Sequence, residues 1–205
     1  MVLSVANQLR QAYPDCQIYA FGKVGSPDDK KLSFSYSVTT PKRWIKSLLK
    51  SLFLPFSLSS KDDIISIIHD ADAVFDVSGF ALSSQMGFKH SVDFLLRVYT
   101  MRRFGRRLYL LPQSFGPFDY GSFIKNKIIS YLCNMLLTHP RRIYAREWRS
   151  YECIKPYTSG NLEYSPDLVL TAPDIIPSLV FDANHVSLAP LVRVEDNEAY
   201  VGLIP

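Results

Sequence analysis

Cysteine is scarce: Cys16, Cys133 and Cys153 stand at wide spacings, and no Cys-x-x-Cys pair occurs. The four histidines, His69, His90, His139 and His185, show no ligand spacing either, so neither a disulfide scaffold nor a zinc site is indicated. There is no Asn-x-Ser/Thr sequon, and the N-terminus lacks the charged region, apolar core and small-residue cleavage site of a signal peptide. Long apolar runs are missing too. In the apolar segment near the middle of the chain, the longest stretch free of charge runs from Ile128 to Leu137, well short of the ~20 residues a membrane-spanning helix needs. Gly-x-Gly-x-x-Gly, Walker A and Gly-x-Ser-x-Gly patterns are absent, which removes support for dinucleotide, P-loop nucleotide and α/β-hydrolase chemistry. These absences point to a cytoplasmic chain with neither metal nor cofactor.

What is present is a globular composition. Hydrophobic residues make up 47% of the 205 positions, aromatics 13% and charged residues 20%, which is not the low hydrophobicity and high net charge of a disordered chain. The net charge of +4 is a mild excess. It helps attract anions but is no nucleic-acid signature.

Strand and helix patterns alternate along the chain. Leu and Val at helical spacing before Pro14 predict an opening helix, and Gln17 to Phe21 reads as a strand. Helices are expected over 62–70, 90–104, 123–137 and 147–154, and strands over 71–77, 107–111, 142–145 and 161–164. Pro112 is expected to interrupt the second of those four strands, and the apolar helix over 123–137 to be largely buried. The alternation argues an α/β fold, a Rossmann-like parallel sheet with helices on both faces. In such sheets ligands bind beyond the carboxyl ends of the strands, so the loops after Val77, Leu111, Ala145 and Tyr164 are expected to converge on one edge. The chain divides into a Rossmann-like domain over 1–183 and a linker over 184–205 that leads into a further domain. Both ends read as cut: a helix stands where such a sheet usually begins with a strand, and Tyr200 to Ile204 starts a strand-like run. Over 41–56, apolar Ile45, Leu48, Leu49, Leu52 and Phe53 share one helical face while Lys42, Arg43, Lys46 and Lys50 share another. This basic amphipathic helix either covers the sheet or rests on an anionic membrane.

The loop sequences, taken in order, carry a resemblance. Asp76-Val77-Ser78-Gly79-Phe80-Ala81-Leu82 ends one strand and Leu111-Pro112-Gln113-Ser114-Phe115-Gly116-Pro117-Phe118 the next. Tyr144-Ala145-Arg146-Glu147 followed by Ser150, and then Ser165-Pro166-Asp167, complete the set. Together they resemble the polysaccharide pyruvyl transferase family over about residues 6–174. The resemblance implies one half of a GT-B-like pair of Rossmann-like domains. It also implies an enzyme of exopolysaccharide or cell-surface polysaccharide synthesis that moves pyruvate from phosphoenolpyruvate onto sugar hydroxyls as a ketal. Its partners would be phosphoenolpyruvate and a saccharide acceptor, lipid-linked at the inner membrane surface if the basic helix docks there. Because relatives have a second domain, expected to contribute heavily to phosphoenolpyruvate binding, these 205 residues alone are expected to be inactive.

Ketal formation needs an acid or base, together with cations for phosphate and carboxylate. Arg146, at a strand end, is the candidate for an anion, its planar fork suiting either group bidentately; the plainer reading is an ion pair with Glu147 or Asp167. Asp76 is the candidate to orient or deprotonate a sugar hydroxyl, unless it accepts backbone N–H bonds from the Ser78-Gly79 turn or caps a helix. Ser78, Gly79, Gln113, Ser114, Gly116 and Asp167 are the candidate substrate-binding residues, Phe115 and Phe118 the loop anchors, and His90 a minor candidate. Two other readings stand beside the transferase: a non-catalytic module that binds a saccharide or nucleotide, and the N-terminal domain of a GT-B glycosyltransferase.

Overall fold

The computed structural model describes residues 1–22, 32, 35–38, 64–171 and 173–181. The amphipathic segment over 41–56, the run over 200–204 and His185 lie outside them. Helix α1 spans Val2–Ala12 and leads to strand β1, Tyr19–Gly22. Strand β1 pairs in parallel with β2, Ser35–Val38, in a two-stranded sheet of their own. The strand expected near Gln17 is therefore present, but it pairs outside the main sheet. A short cluster centred on Ala6 and Val180, with Leu3, Ile18 and Ala20 packed around it, holds this corner together.

The main sheet is built by alternation. After α2 (Ile64–Asp70) come β3 (Ala73–Asp76), α3 (Phe88–Arg103), β4 (Arg107–Gln113) and α4 (Phe123–Leu136). Then follow β5 (Arg142–Ala145), α5 (Trp148–Ile154) and β6 (Leu162–Tyr164). The four strands lie side by side in the order β3-β4-β5-β6, all parallel. This is the expected α/β, Rossmann-like sheet flanked by helices. Because each crossover runs to the next neighbour and such crossovers are right-handed, α3, α4 and α5 share one face of the sheet. Leu108, Leu110, Ile143 and Ala145 point into that side and form one core with Phe94, Leu95, Val98, Ile129, Cys133, Leu136 and Ile154. Phe75 and Tyr109, paired in register across β3 and β4, are only half-buried, and their rings stack at 5.2 Å. Two short helices, α6 (Leu168–Thr171) and α7 (Pro177–Val180), follow β6.

Two expectations about these elements are corrected. Strand β4 runs straight through Pro112 to Gln113. The pairing with β5 slips by one residue between Leu110 and Gln113, so Pro112 sits where the ladder is already broken and its missing N–H costs no bond. Helix α4 is buried only along Ile129, Cys133 and Leu136, while Phe123, Ile124, Ile128 and Tyr131 face solvent. Composition suggested burial all round, yet a helix on one face of a sheet presents only one stripe to it.

Candidate active site

Backbone hydrogen bonds stitch the carboxyl ends of the four strands into one edge. The Ser114 amide donates to the Gly79 carbonyl at 2.8 Å and the Gly116 amide to the Leu82 carbonyl at 2.9 Å. The amide of Arg146 donates to the Gln113 carbonyl at 3.0 Å, and that of Ser165 to the Ala145 carbonyl at 3.0 Å. Each contact joins the loop after one strand to its neighbour, so the four loops do converge. Two glycines allow this. Gly79 has φ +70° and Gly116 φ +72°, and a Cβ at position 116 would come within 3.0 Å of Cys153 Sγ on α5. Phe115 is buried beside Gly116, and Phe118 meets Tyr157 edge-on at 5.8 Å, so both aromatics anchor the loop.

Arg146, at the turn between β5 and α5, is the hub of this edge. Its Nη1 donates to Asp167 Oδ2 at 2.7 Å, its Nη2 to Ser114 Oγ at 2.7 Å and its Nε to Glu147 Oε1 at 3.1 Å. Both ion pairs considered from the sequence thus exist together. The Asp167 bond, with Glu147 adding to it, raises the Arg146 pKa. Three of the five guanidinium N–H groups are used in these bonds, and two remain.

Glu147 enters the sequence reading only within the Tyr-Ala-Arg-Glu string and as an ion-pair partner of Arg146, not as a site residue. Its Oε1 accepts the Ser114 hydroxyl at 2.7 Å and its Oε2 the Ser150 hydroxyl at 2.7 Å. Ser150 Oγ in turn accepts the Phe115 amide at 2.9 Å. Burial pushes the Glu147 pKa up, but the two serine hydroxyls and Arg146 outweigh it, and the carboxyl ends below the usual glutamate range. Asp167 is also held below its ordinary value, first by the Val169 amide on its Oδ1 and then by Arg146. The spacing Glu147-x-x-Ser150, at the start of a helix, is the signal that was available.

Asp76 closes the other side of the edge. Its Oδ1 accepts the Ser78 amide at 3.0 Å and the Ser78 hydroxyl, as the turn reading anticipated. Its Oδ2 accepts Arg97 Nη1 at 3.3 Å, a partner the sequence did not disclose. Arg97 also faces Asp93, one helical turn back on α3, with Nε at 3.9 Å from Oδ2. Gln113 differs from the rest: its side chain is fully buried, and neither amide atom has a hydrogen-bond partner among the described residues. The slip in β4 turns Gln113 to the side that Leu110 and Ala145 share. His69 and His139 stand at the opposite end of the strands, where His139 Nε2 meets the Arg106 carbonyl. Burial lowers the His139 pKa.

Three carboxylates, Asp76, Glu147 and Asp167, therefore share the edge with two guanidinium groups, Arg97 and Arg146. Among the described residues no group of three or more His, Cys, Asp or Glu is placed to hold a metal ion, and no helix is long and apolar enough to cross a membrane. Dense with hydroxyls, carboxylates and fixed N–H donors, the edge can bind a polar, hydroxyl-bearing ligand and hold its groups in set orientations.

No curated protein and no solved structure matches the chain. The sequence model of the polysaccharide pyruvyl transferase family matches residues 1–200. The match takes in all four strand-end loops of the edge, and the chain belongs to the polysaccharide pyruvyl transferase family.

Proposed function

We propose that the protein transfers pyruvate from phosphoenolpyruvate onto a saccharide as a ketal, and that the carboxyl edge of its parallel sheet holds the saccharide. The observation that carries this reading is the joined set Ser114, Arg146, Glu147 and Asp167 on that edge, in a chain of this family. Carboxylates outnumber guanidinium groups there, which suits a neutral polyhydroxyl acceptor better than a phosphate. Arg146 offers its two unused N–H groups to the carboxylate of the pyruvyl group, while Asp76, through Ser78, orients an acceptor hydroxyl. Gly79, Gln113 and Gly116 work through their backbones: the carbonyls of Gly79 and Gln113 fix Ser114 and Arg146, and the Gly116 amide ties the loop to Leu82.

The cations that meet the departing phosphate are to be sought outside the described residues. Because the family resemblance implies a second domain that binds phosphoenolpyruvate, the 205 residues alone are proposed to bind saccharide without turnover, as one half of a GT-B-like arrangement whose Rossmann-like part ends near residue 183. The acceptor belongs to exopolysaccharide or cell-surface polysaccharide synthesis and is presented in the cytoplasm, lipid-linked if the segment over 41–56 rests on the membrane. The carboxylate excess also favours a second reading, a saccharide-binding module without chemistry. Mass spectrometry separates the two. β-Linked galactose and N-acetylmannosamine saccharides are incubated with phosphoenolpyruvate and the protein at its natural length. A product heavier by pyruvate less one water supports transfer, whereas saccharide that is bound but unchanged supports the module.

A further inference from the structure

We propose that Ser114 and Glu147 form a two-member relay that takes the proton of the attacking acceptor hydroxyl. The step itself rests on the pyruvyl-transfer reading; the polarity of the relay rests on hydrogen-bond geometry alone. A serine hydroxyl has one proton and two lone pairs. Ser114 commits its proton to Glu147 Oε1 at 2.7 Å and one lone pair to Arg146 Nη2 at 2.7 Å. What it has left for a ligand is a single lone pair. Ser114 therefore accepts from a donor such as a sugar hydroxyl and turns away a phosphate or carboxylate oxygen, which names the ligand class at this point of the edge. The far end of the relay is fixed too. Ser150 takes the Phe115 amide on its oxygen, so its own proton goes to Glu147 Oε2. With Arg146 Nε also on Oε1, the carboxylate is held in one orientation.

The step balances as follows. The acceptor oxygen forms a bond to the central carbon of phosphoenolpyruvate, and its O–H proton passes to Ser114 Oγ as the Ser114 proton passes to Glu147 Oε1. The C=C π pair takes a proton from water, turning the methylene carbon into a methyl group. Glu147, whose side chain is 48% exposed, then returns its proton to water. Phosphate leaves the central carbon with the C–O electron pair and takes the proton of a second hydroxyl of the saccharide as that oxygen bonds to the same carbon, so the ketal closes with no proton gained or lost. Asp76 is less suited to this part, since its side chain is only 14% exposed and has less access to the water that must take the proton away.

The test has a kinetic and a binding arm, both on the protein at its natural length. In the kinetic arm, phosphate release is followed against pH. Because the relay works with Glu147 ionised, kcat should fall as pH drops through a pKa below the ordinary glutamate range. Glu147→Gln should lower kcat by ~10²-fold and abolish that acid limb without changing KM for phosphoenolpyruvate, and Glu147→Asp should restore part of the rate. In the binding arm, saturation-transfer NMR compares methyl β-D-galactopyranoside with its deoxyfluoro analogues, in which fluorine replaces one hydroxyl and cannot donate. The wild type should lose about tenfold in affinity at one position, and Ser114→Ala should bind the sugar and that analogue alike. An acid limb that persists in Glu147→Gln, a kcat above half of wild type in that variant, or discrimination that survives Ser114→Ala overturns the relay. If no acceptor yields phosphate, the pyruvyl-transfer reading fails, and the binding arm alone decides whether Ser114 has the stated polarity.

Discussion

Arg97 reaches from α3 to the end of β3 and donates to Asp76 Oδ2 at 3.3 Å, with its side chain 25% exposed and that of Asp76 14%. A carboxylate so little exposed needs a partner for its charge. Arg97→Met keeps the stem that packs on α3 and removes the charge. It should cost about 1–3 kcal/mol in urea unfolding, with Arg97→Lys losing less. Unchanged stability in Arg97→Met would show that Asp76 is carried by Ser78 alone.

Gln113 makes the opposite prediction. Its amide is buried without a partner among the described residues, and such a group costs its full desolvation. Gln113→Met has nearly the same shape and no polar head. The variant should be as stable as the wild type or more stable by about 1–2 kcal/mol, read as the thermal midpoint, since the Gln113 carbonyl that holds Arg146 is retained. A loss above about 1 kcal/mol would mean that the amide is satisfied in solution.

Much of this edge was legible because strand ends are written in local pattern. The run Ala-Asp-Ala-Val-Phe-Asp-Val located β3, and Arg142–Ala145 was read to the residue. Convergence of the four loops follows from parallel pairing, which alternation alone predicts. Tertiary events were hidden. The register slip that lets β4 pass Pro112 arises only against β5, and nothing near Tyr19 says that β1 pairs with β2 instead of β3. Nothing in the sequence marks Arg97, because its partner lies 21 residues away on a strand. The exposed side of α4 was misread for a different reason: Phe123, Ile124, Ile128 and Tyr131 are apolar by composition, and only packing reveals which stripe meets the sheet.

The Asp167–Arg146 pair sets a pH dependence. Asp167 has its folded pKa lowered by the Val169 amide and by Arg146, so the unfolded chain binds its proton at higher pH than the folded one does. Its contribution is fully present above the ordinary aspartate range and is lost as pH falls through the depressed folded value. Urea unfolding of the wild type should therefore weaken on acidification below the ordinary aspartate range, and Asp167→Asn should show a shallower decline there. Parallel curves would contradict the pairing.

Burial pushes the Cys133 thiol up to about 12. The thiolate is the reactive form, so at pH 8 Cys133 should resist iodoacetamide in the folded protein and react once urea unfolds it. Mass mapping of the labelled cysteine checks this. Labelling of Cys133 at the rate of Cys16, which is only half-buried, would show that α4 opens locally.

The central claim is that the carboxyl edge, organised by Arg146, serves pyruvyl transfer. The most direct test is phosphate release from phosphoenolpyruvate in the presence of a saccharide acceptor, measured on the protein at its natural length as wild type and as Arg146→Ala. The account predicts acceptor-dependent release in the wild type and a loss of ~10² or more in kcat/KM for the variant, with its thermal midpoint within a few degrees of wild type. Release at the wild-type rate from folded Arg146→Ala, or release indifferent to the acceptor, would contradict it.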